Sequence, residues 1–143
     1  MKKSTAGFTL VELLVAMAIM AVVMAAALVA YSGTRATARD GRRKADLETI
    51  RSALELYRSD SGGYPLAAGY AVQLAGYISS VPKDPLDPAR VYGYAPQTCG
   101  SLTCPSYTLC AAMEQVTVAD AQCTAAGANC GIGMTCSYAT TNP

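Results

Sequence analysis

From Leu13 to Ala30 the chain reads LLVAMAIMAVVMAAALVA, eighteen residues without one polar side chain. As an α-helix rising about 1.5 Å per residue, this run covers roughly 27 Å, close to the hydrocarbon thickness of a bilayer. A helix on the surface of a water-soluble domain keeps one wet face, and does not stay apolar all round for so long. The run therefore predicts a membrane helix. What remains of the 143 residues is too polar and too small to bury much core, so it needs a staple or a partner.

Composition narrows the function classes. At 52% hydrophobic and 15% charged the chain is no disordered tail, and its length suits one domain of ordinary size. A formal charge of +1 provides no strong field for nucleic acid. The absence of histidine excludes a Ser–His–Asp triad, His-based general base catalysis and most zinc enzymes. Charge is segregated, however. Residues 1–60 carry nine basic and six acidic side chains, whereas residues 61–143 carry Lys83 and Arg90 against Asp84, Asp87, Glu114 and Asp120.

Four stretches follow. Residues 1–7, MKKSTAG, form a short basic leader. Residues 8–31 contain the membrane helix, and residues 32–60 an amphipathic continuation in which Ser32, Gly33 and Thr34 weaken the helix without ending it. Leu47, Ile50, Leu54 and Tyr57 make one apolar stripe that needs a cover, expected from the C-terminal sheet. Asp40–Lys44, Lys44–Glu48 and Arg51–Glu55 are spaced for surface pairs. Glycines at Gly62 and Gly63 and a proline at Pro65 end the helix. In the head, residues 61–143, a small helix is expected near residues 71–80 and a loop over Pro82–Pro88. Strands are expected at residues 91–94, at residues 107–113 with Tyr107, Leu109, Ala111 and Met113 alternating, and near residues 132–138.

All six cysteines, Cys99, Cys104, Cys110, Cys123, Cys130 and Cys136, lie in the tail of the head. No C-x-x-C and no histidine are present, which argues against a zinc site and against catalytic thiol chemistry. An even number clustered beside a small core predicts three disulfides and an oxidising compartment. Fifteen pairings are open and the sequence does not choose among them. The pairing taken as the expectation is Cys99–Cys104, Cys123–Cys130 and Cys110–Cys136.

One residue interrupts the apolar N-terminus. Glu12 lies at the edge of the membrane run, where a lone carboxylate is costly and should have a partner. Thr9-x-x-Glu12 reads as a capping box, which accounts for the carboxylate but not for an apolar stretch starting at Phe8 directly behind a basic leader. Gly7-Phe8-Thr9-Leu10-Val11-Glu12 with the following helix resembles the processing motif of type IV pilins and type II secretion pseudopilins. RKADLETIRSALELYRSDSGGYP, Arg43 to Pro65, is similar to the distal helix of the major pseudopilin, and PKDP, Pro82 to Pro85, to a loop of that subfamily. The resemblance spans about the first 95 residues.

The resemblance implies an α+β type IV pilin fold: a long N-terminal helix, membrane-spanning in its first half, packed on a small antiparallel sheet with a disulfide-rich C-terminal region. It implies cleavage after Gly7 by a prepilin peptidase, methylation of the new Phe8 amine, and an assembly ion pair between Glu12 and the Phe8 amine of a neighbouring subunit. Two opposite charges in an apolar filament core would each cost several kcal/mol unpaired, so the pair would set the register. The implied partners are identical or related pilin subunits, the peptidase, an assembly platform, and the membrane before assembly. The precursor would sit in the cytoplasmic membrane, N-terminus in and head out, then enter an extracytoplasmic filament. Two features depart from the family. No proline precedes Pro65, so any unwinding of the helix would have to use Gly33. The last loop of the major pseudopilin usually carries acidic residues that hold calcium, whereas this tail offers only Glu114 and Asp120, with Asp84 and Asp87 in the proline loop. No metal or other cofactor is expected.

The bases after the membrane run, Arg35, Arg39, Arg42, Arg43 and Lys44, outnumber Lys2 and Lys3 before it. A positive-inside count alone would put the head in the cytoplasm; the motif and the cysteines put it outside. The cluster Arg39–Lys44 could touch DNA or anionic lipid, but its spacing with acids reads as a solvated, salt-bridged helix face. The expected function is a non-enzymatic filament subunit. The alternative is a secreted disulfide-rich binding protein with a Sec-type signal peptide cut near Ala25-x-Ala27, although the apolar run exceeds the usual h-region of about 7–15 residues. A membrane-anchored enzyme has no nucleophile–base pair to work with.

Overall fold

A computed structural model describes residues 7–142. Residues 1–6, most of the expected leader, lie outside the described residues. The chain divides into two compact units, one ending at Ala36 and the other beginning at Thr37.

Helix α1, Leu10–Ser61, is continuous for 52 residues and passes through Ser32-Gly33-Thr34 without a break. Its sequence is rich in Ala, Leu and Met, which lose little freedom in a helix, and contains no proline. Its first part is long and apolar enough to cross a membrane. In the first unit every large apolar side chain from Phe8 to Leu28 is 52–80% exposed, so nothing in its own unit covers it. The helix ends where Gly62 takes a positive φ of 74° and its N–H donates to the Arg58 carbonyl at 2.8 Å. Only a residue without a Cβ adopts that conformation at no steric cost.

The second unit is built around a three-stranded antiparallel sheet. Its order is β1 (Gly93–Gln97), β2 (Ser106–Ala111), β3 (Tyr138–Thr141), with Gly93 opposite Cys110 and Leu109 opposite Thr140. Between α1 and the sheet come α2 (Tyr70–Gln73) and a 3₁₀ turn at Leu74–Gly76; α3 (Ala121–Ala126) precedes β3. Two expectations shift here. The first strand starts at Gly93 rather than residue 91, because the Val91 N–H is taken by the Cys130 carbonyl at 3.0 Å. The third strand starts at Tyr138, because Gly131 and Gly133 adopt positive φ and hold residues 131–134 in a turn.

The central strand is buried on both faces, and its period of two separates two cores. Tyr107, Leu109 and Ala111, with Met113 just beyond, pack with Leu47, Ile50 and Leu54 of α1. The sheet thus covers the predicted stripe, each aliphatic side chain contributing about 1.5–3 kcal/mol of burial. Cys110 and Ala112 point the other way, into a layer with Cys123, Cys130 and Cys136.

That second layer holds two of the three disulfides. The bridges are Cys99–Cys104, Cys110–Cys123 and Cys130–Cys136. The first matches the expected pairing; the expected Cys123–Cys130 and Cys110–Cys136 are replaced. Helix α3, absent from the sequence expectation, is the reason: it lies on the face of β2 opposite α1 and carries Cys123 to Cys110, with Cα atoms 5.9 Å apart. Cys130 and Cys136 then close the loop between α3 and β3 on themselves. Gly131, at φ 123°, lets that loop pass the chain near Ala89, where a Cβ would come within 2.5 Å of the Ala89 oxygen.

Candidate functional site

Two groups of residues bear on function, one in each unit. The first is the start of α1. Thr9 Oγ1 accepts a hydrogen bond from the Glu12 N–H at 3.2 Å, and the Leu13 N–H donates to the Thr9 carbonyl at 3.2 Å. The Thr9 half of the capping box is therefore formed: its hydroxyl satisfies the Glu12 N–H, while its carbonyl takes the first regular i→i−4 bond of the helix. This cap uses the backbone of Glu12. The Glu12 side chain is exposed, as are Gly7 and Phe8, which is 80% exposed. Gly7, Phe8 and Glu12 thus lie together on one short exposed segment, with the Gly7–Phe8 bond ahead of the helix and the Glu12 carboxylate in its first turn.

The second group is a buried cluster of charges. Arg43 is fully buried, and its guanidinium meets three carboxylates. Nε and Nη2 donate to the two oxygens of Asp84 at 2.7 and 3.0 Å; Nη1 donates to Asp40 at 2.7 Å and to Glu114 at 2.8 Å. Arg39 donates to both oxygens of Glu114, at 2.7 and 2.6 Å. Asp40 also accepts from the backbone N–H groups of Glu114 and Gln115, each at 2.9 Å. One side chain therefore ties α1 to the proline loop and to the segment after β2. Such pairing is what makes buried charge tolerable.

The electrostatics follow from that geometry. Its bonds to Arg39, and then those to Arg43, outweigh burial and hold the Glu114 carboxyl down at about 2, against an ordinary 4.5. Burial pushes the Asp40 carboxyl up, but the N–H groups of Glu114 and Gln115 and the Arg43 guanidinium overcome it, and the net direction is down. Burial likewise disfavours charge on Arg43, and its three carboxylates more than compensate, so its pKa is raised.

The solvated, salt-bridged helix face expected for Arg39–Lys44 is corrected on this point. Asp40 is consumed by Arg43 and backbone amides, not Lys44, whose ammonium lies 5.4 Å from the centre of the Tyr138 ring. Arg51 pairs with Glu48, while Glu55 accepts from the Tyr64 hydroxyl at 2.8 Å, so Arg51–Glu55 is not formed. Sequence reasoning missed Arg43, although a signal existed. Extended backwards, the stripe Leu47, Ile50, Leu54 reaches Arg43 at i−4, on the apolar face.

The acids that a calcium site would need are otherwise engaged. Asp84 and Glu114 are held by arginine, and Asp120 caps α3 by accepting from the N–H groups of Gln122 and Cys123. Among the described residues no group of three or more Cys, Asp or Glu side chains is placed to hold a metal ion. The residues present do not fit the calcium site of the major pseudopilin.

Comparison with known proteins agrees with the first group of residues. Residues 2–28 match the family described as prokaryotic N-terminal methylation motif. Curated proteins and solved structures returned no match. A three-stranded antiparallel sheet and three disulfides follow the long apolar helix, an α+β arrangement of the pilin kind. The chain thus carries, at residues 2–28, the N-terminal methylation motif of type IV pilins and pseudopilins, on a pilin-like α+β fold.

Proposed function

We propose that the chain is a structural subunit of a type IV pilus or type II secretion-like pseudopilus. It is inserted as a membrane prepilin, cut after Gly7, methylated on the Phe8 amine, and polymerised through the apolar part of α1. The observation that carries this reading is a coincidence at one place. The methylation motif at residues 2–28 overlies a helix start that exposes Phe8, Glu12 and every large apolar side chain up to Leu28. Such a surface has to be covered by lipid or by other subunits. The three disulfides support an extracytoplasmic head, since they form and persist in oxidising compartments. The basic flank after the membrane run is compatible with that side, because Arg39 and Arg43 are consumed inside the head by Glu114, Asp40 and Asp84.

Glu12 separates this reading from a helix cap. The cap uses the Glu12 backbone N–H and the Thr9 hydroxyl, so Glu12→Ala leaves it in place. Under the proposal, the Glu12 carboxylate pairs with the Phe8 amine of a neighbour. Glu12→Ala should then insert into the membrane and be processed normally, while its incorporation into filaments falls at least tenfold, measured by fractionating sheared filaments from membranes. Normal incorporation would refute the role of the carboxylate.

A further inference from the structure

The membrane run ends at Ala30, and Tyr31 follows it directly, 58% exposed. Arg35 comes one turn later on the same face, its guanidinium carbon 5.1 Å from the centre of the Tyr31 ring. Arg35 is exposed and, among the described residues, meets no carboxylate. The bases that follow are engaged: Arg39 by Glu114, Arg42 by Asp46, Arg43 by three acids, and Lys44 by the Tyr138 ring. Arg35 therefore keeps an uncompensated positive charge at the rim of the apolar run.

We propose that Tyr31 and Arg35 form a binding site for the phosphate of an anionic phospholipid in the outer leaflet, which fixes the depth of the subunit before assembly. This rests on the proposed membrane prepilin state. The dimensions favour it. A bilayer adds roughly 5–8 Å of polar headgroup region on each side of its hydrocarbon core. With Leu13–Ala30 filling the core, Tyr31 falls at the boundary, where amphipathic rings are favoured. Four residues of helix carry Arg35 about 6 Å further, into the phosphate layer. The guanidinium presents paired N–H groups that match two phosphate oxygens, and the ring beneath it limits its orientations. Charge complementarity selects an anionic lipid over a zwitterionic one, by about fivefold for one such cation.

The chain contains no tryptophan, so Tyr31→Trp adds a single fluorescent reporter at the site. The full chain carrying Tyr31→Trp is reconstituted in vesicles of phosphatidylcholine and phosphatidylglycerol, with one or the other lipid brominated at a shallow or a deep acyl position. The expected result is strongest quenching by shallow bromines, and quenching by phosphatidylglycerol that reports about fivefold enrichment over phosphatidylcholine. Adding Arg35→Gln should bring the enrichment close to one while leaving insertion intact. Strongest quenching by deep bromines, equal quenching by the two lipids, or enrichment that survives Arg35→Gln would each overturn the inference and leave the filament reading standing. Absence of quenching at any depth would overturn the membrane prepilin state itself.

Discussion

Arg43 exchanges water for three carboxylates, and the head depends on that exchange at several points at once. Removing the guanidinium leaves Asp84 and Asp40 buried without their cation, so Arg43→Met should destabilise the head by about 3–5 kcal/mol. In detergent-solubilised full chain this should lower the Tm, followed by near-UV tyrosine dichroism, by at least about 10 °C. A change within two or three degrees would mean that the cluster is solvated. The same contacts set the response to acid. Glu114 is depressed from 4.5 to about 2 in the fold, so its contribution is complete above 4.5 and is lost as the pH falls toward about 2. Asp40, shifted in the same direction, adds to that loss. Thermal unfolding across this window should show Tm falling with pH in the parent chain and a shallower fall in Glu114→Gln. An equal slope in both would contradict the assignment. At this scale the sequence was only partly legible: the acids Asp40, Asp84 and Glu114 were visible, but they lie up to 74 residues apart, and only the fold shows that one guanidinium collects them.

Helices and strands were read more easily than their partners. The stripe Leu47, Ile50, Leu54 and the alternation Tyr107, Leu109, Ala111 are local patterns, and each element formed where its period indicated. Helix α3 was missed because it is short and lies in an Ala-, Thr- and Gly-rich stretch. Its cues were nonetheless present: Asp120 as N-cap and Gly127, at φ 66°, as the left-handed residue that ends it. That one omission misassigned two disulfides, because the sequence supplied no surface to carry Cys123 back over β2. The bridges should also differ in weight. Cys110–Cys123 spans 13 residues and Cys99–Cys104 only 5, so loop-closure entropy gives about 3 kcal/mol for the first and about 2 for the second. Replacing each pair by serine in the full chain and comparing unfolding midpoints tests this order. A larger loss from the Cys99–Cys104 pair would show that loop entropy does not govern these bridges. Peptide mapping of the oxidised protein should recover Cys110 linked to Cys123.

For the whole molecule, composition is the property that local inspection reads least well. The average of 52% hydrophobic and a charge of +1 describes neither unit. From Phe8 to Leu28 the chain exposes its large apolar side chains; from Thr37 onward it buries a core on both faces of β2, with disulfide cysteines in each. The N-terminal motif was the most legible part, because basic residues, a small residue, a carboxylate and an apolar run coincide within 30 residues of sequence, whereas the head's polar cluster needed the tertiary fold. On the proposed reading, the first unit is solvated by lipid and then by sister subunits, and the second is a self-sufficient head in an oxidising space. The central claim is the processing that precedes assembly. It is tested by intact-mass and N-terminal analysis of the protein recovered from membranes and filaments of its native host. A mature chain that begins at Phe8, one methyl group heavier than its sequence and with no free thiols, is the predicted result. A chain that begins near Leu28, as a signal peptidase would leave it, or that retains residues 1–7, contradicts the account.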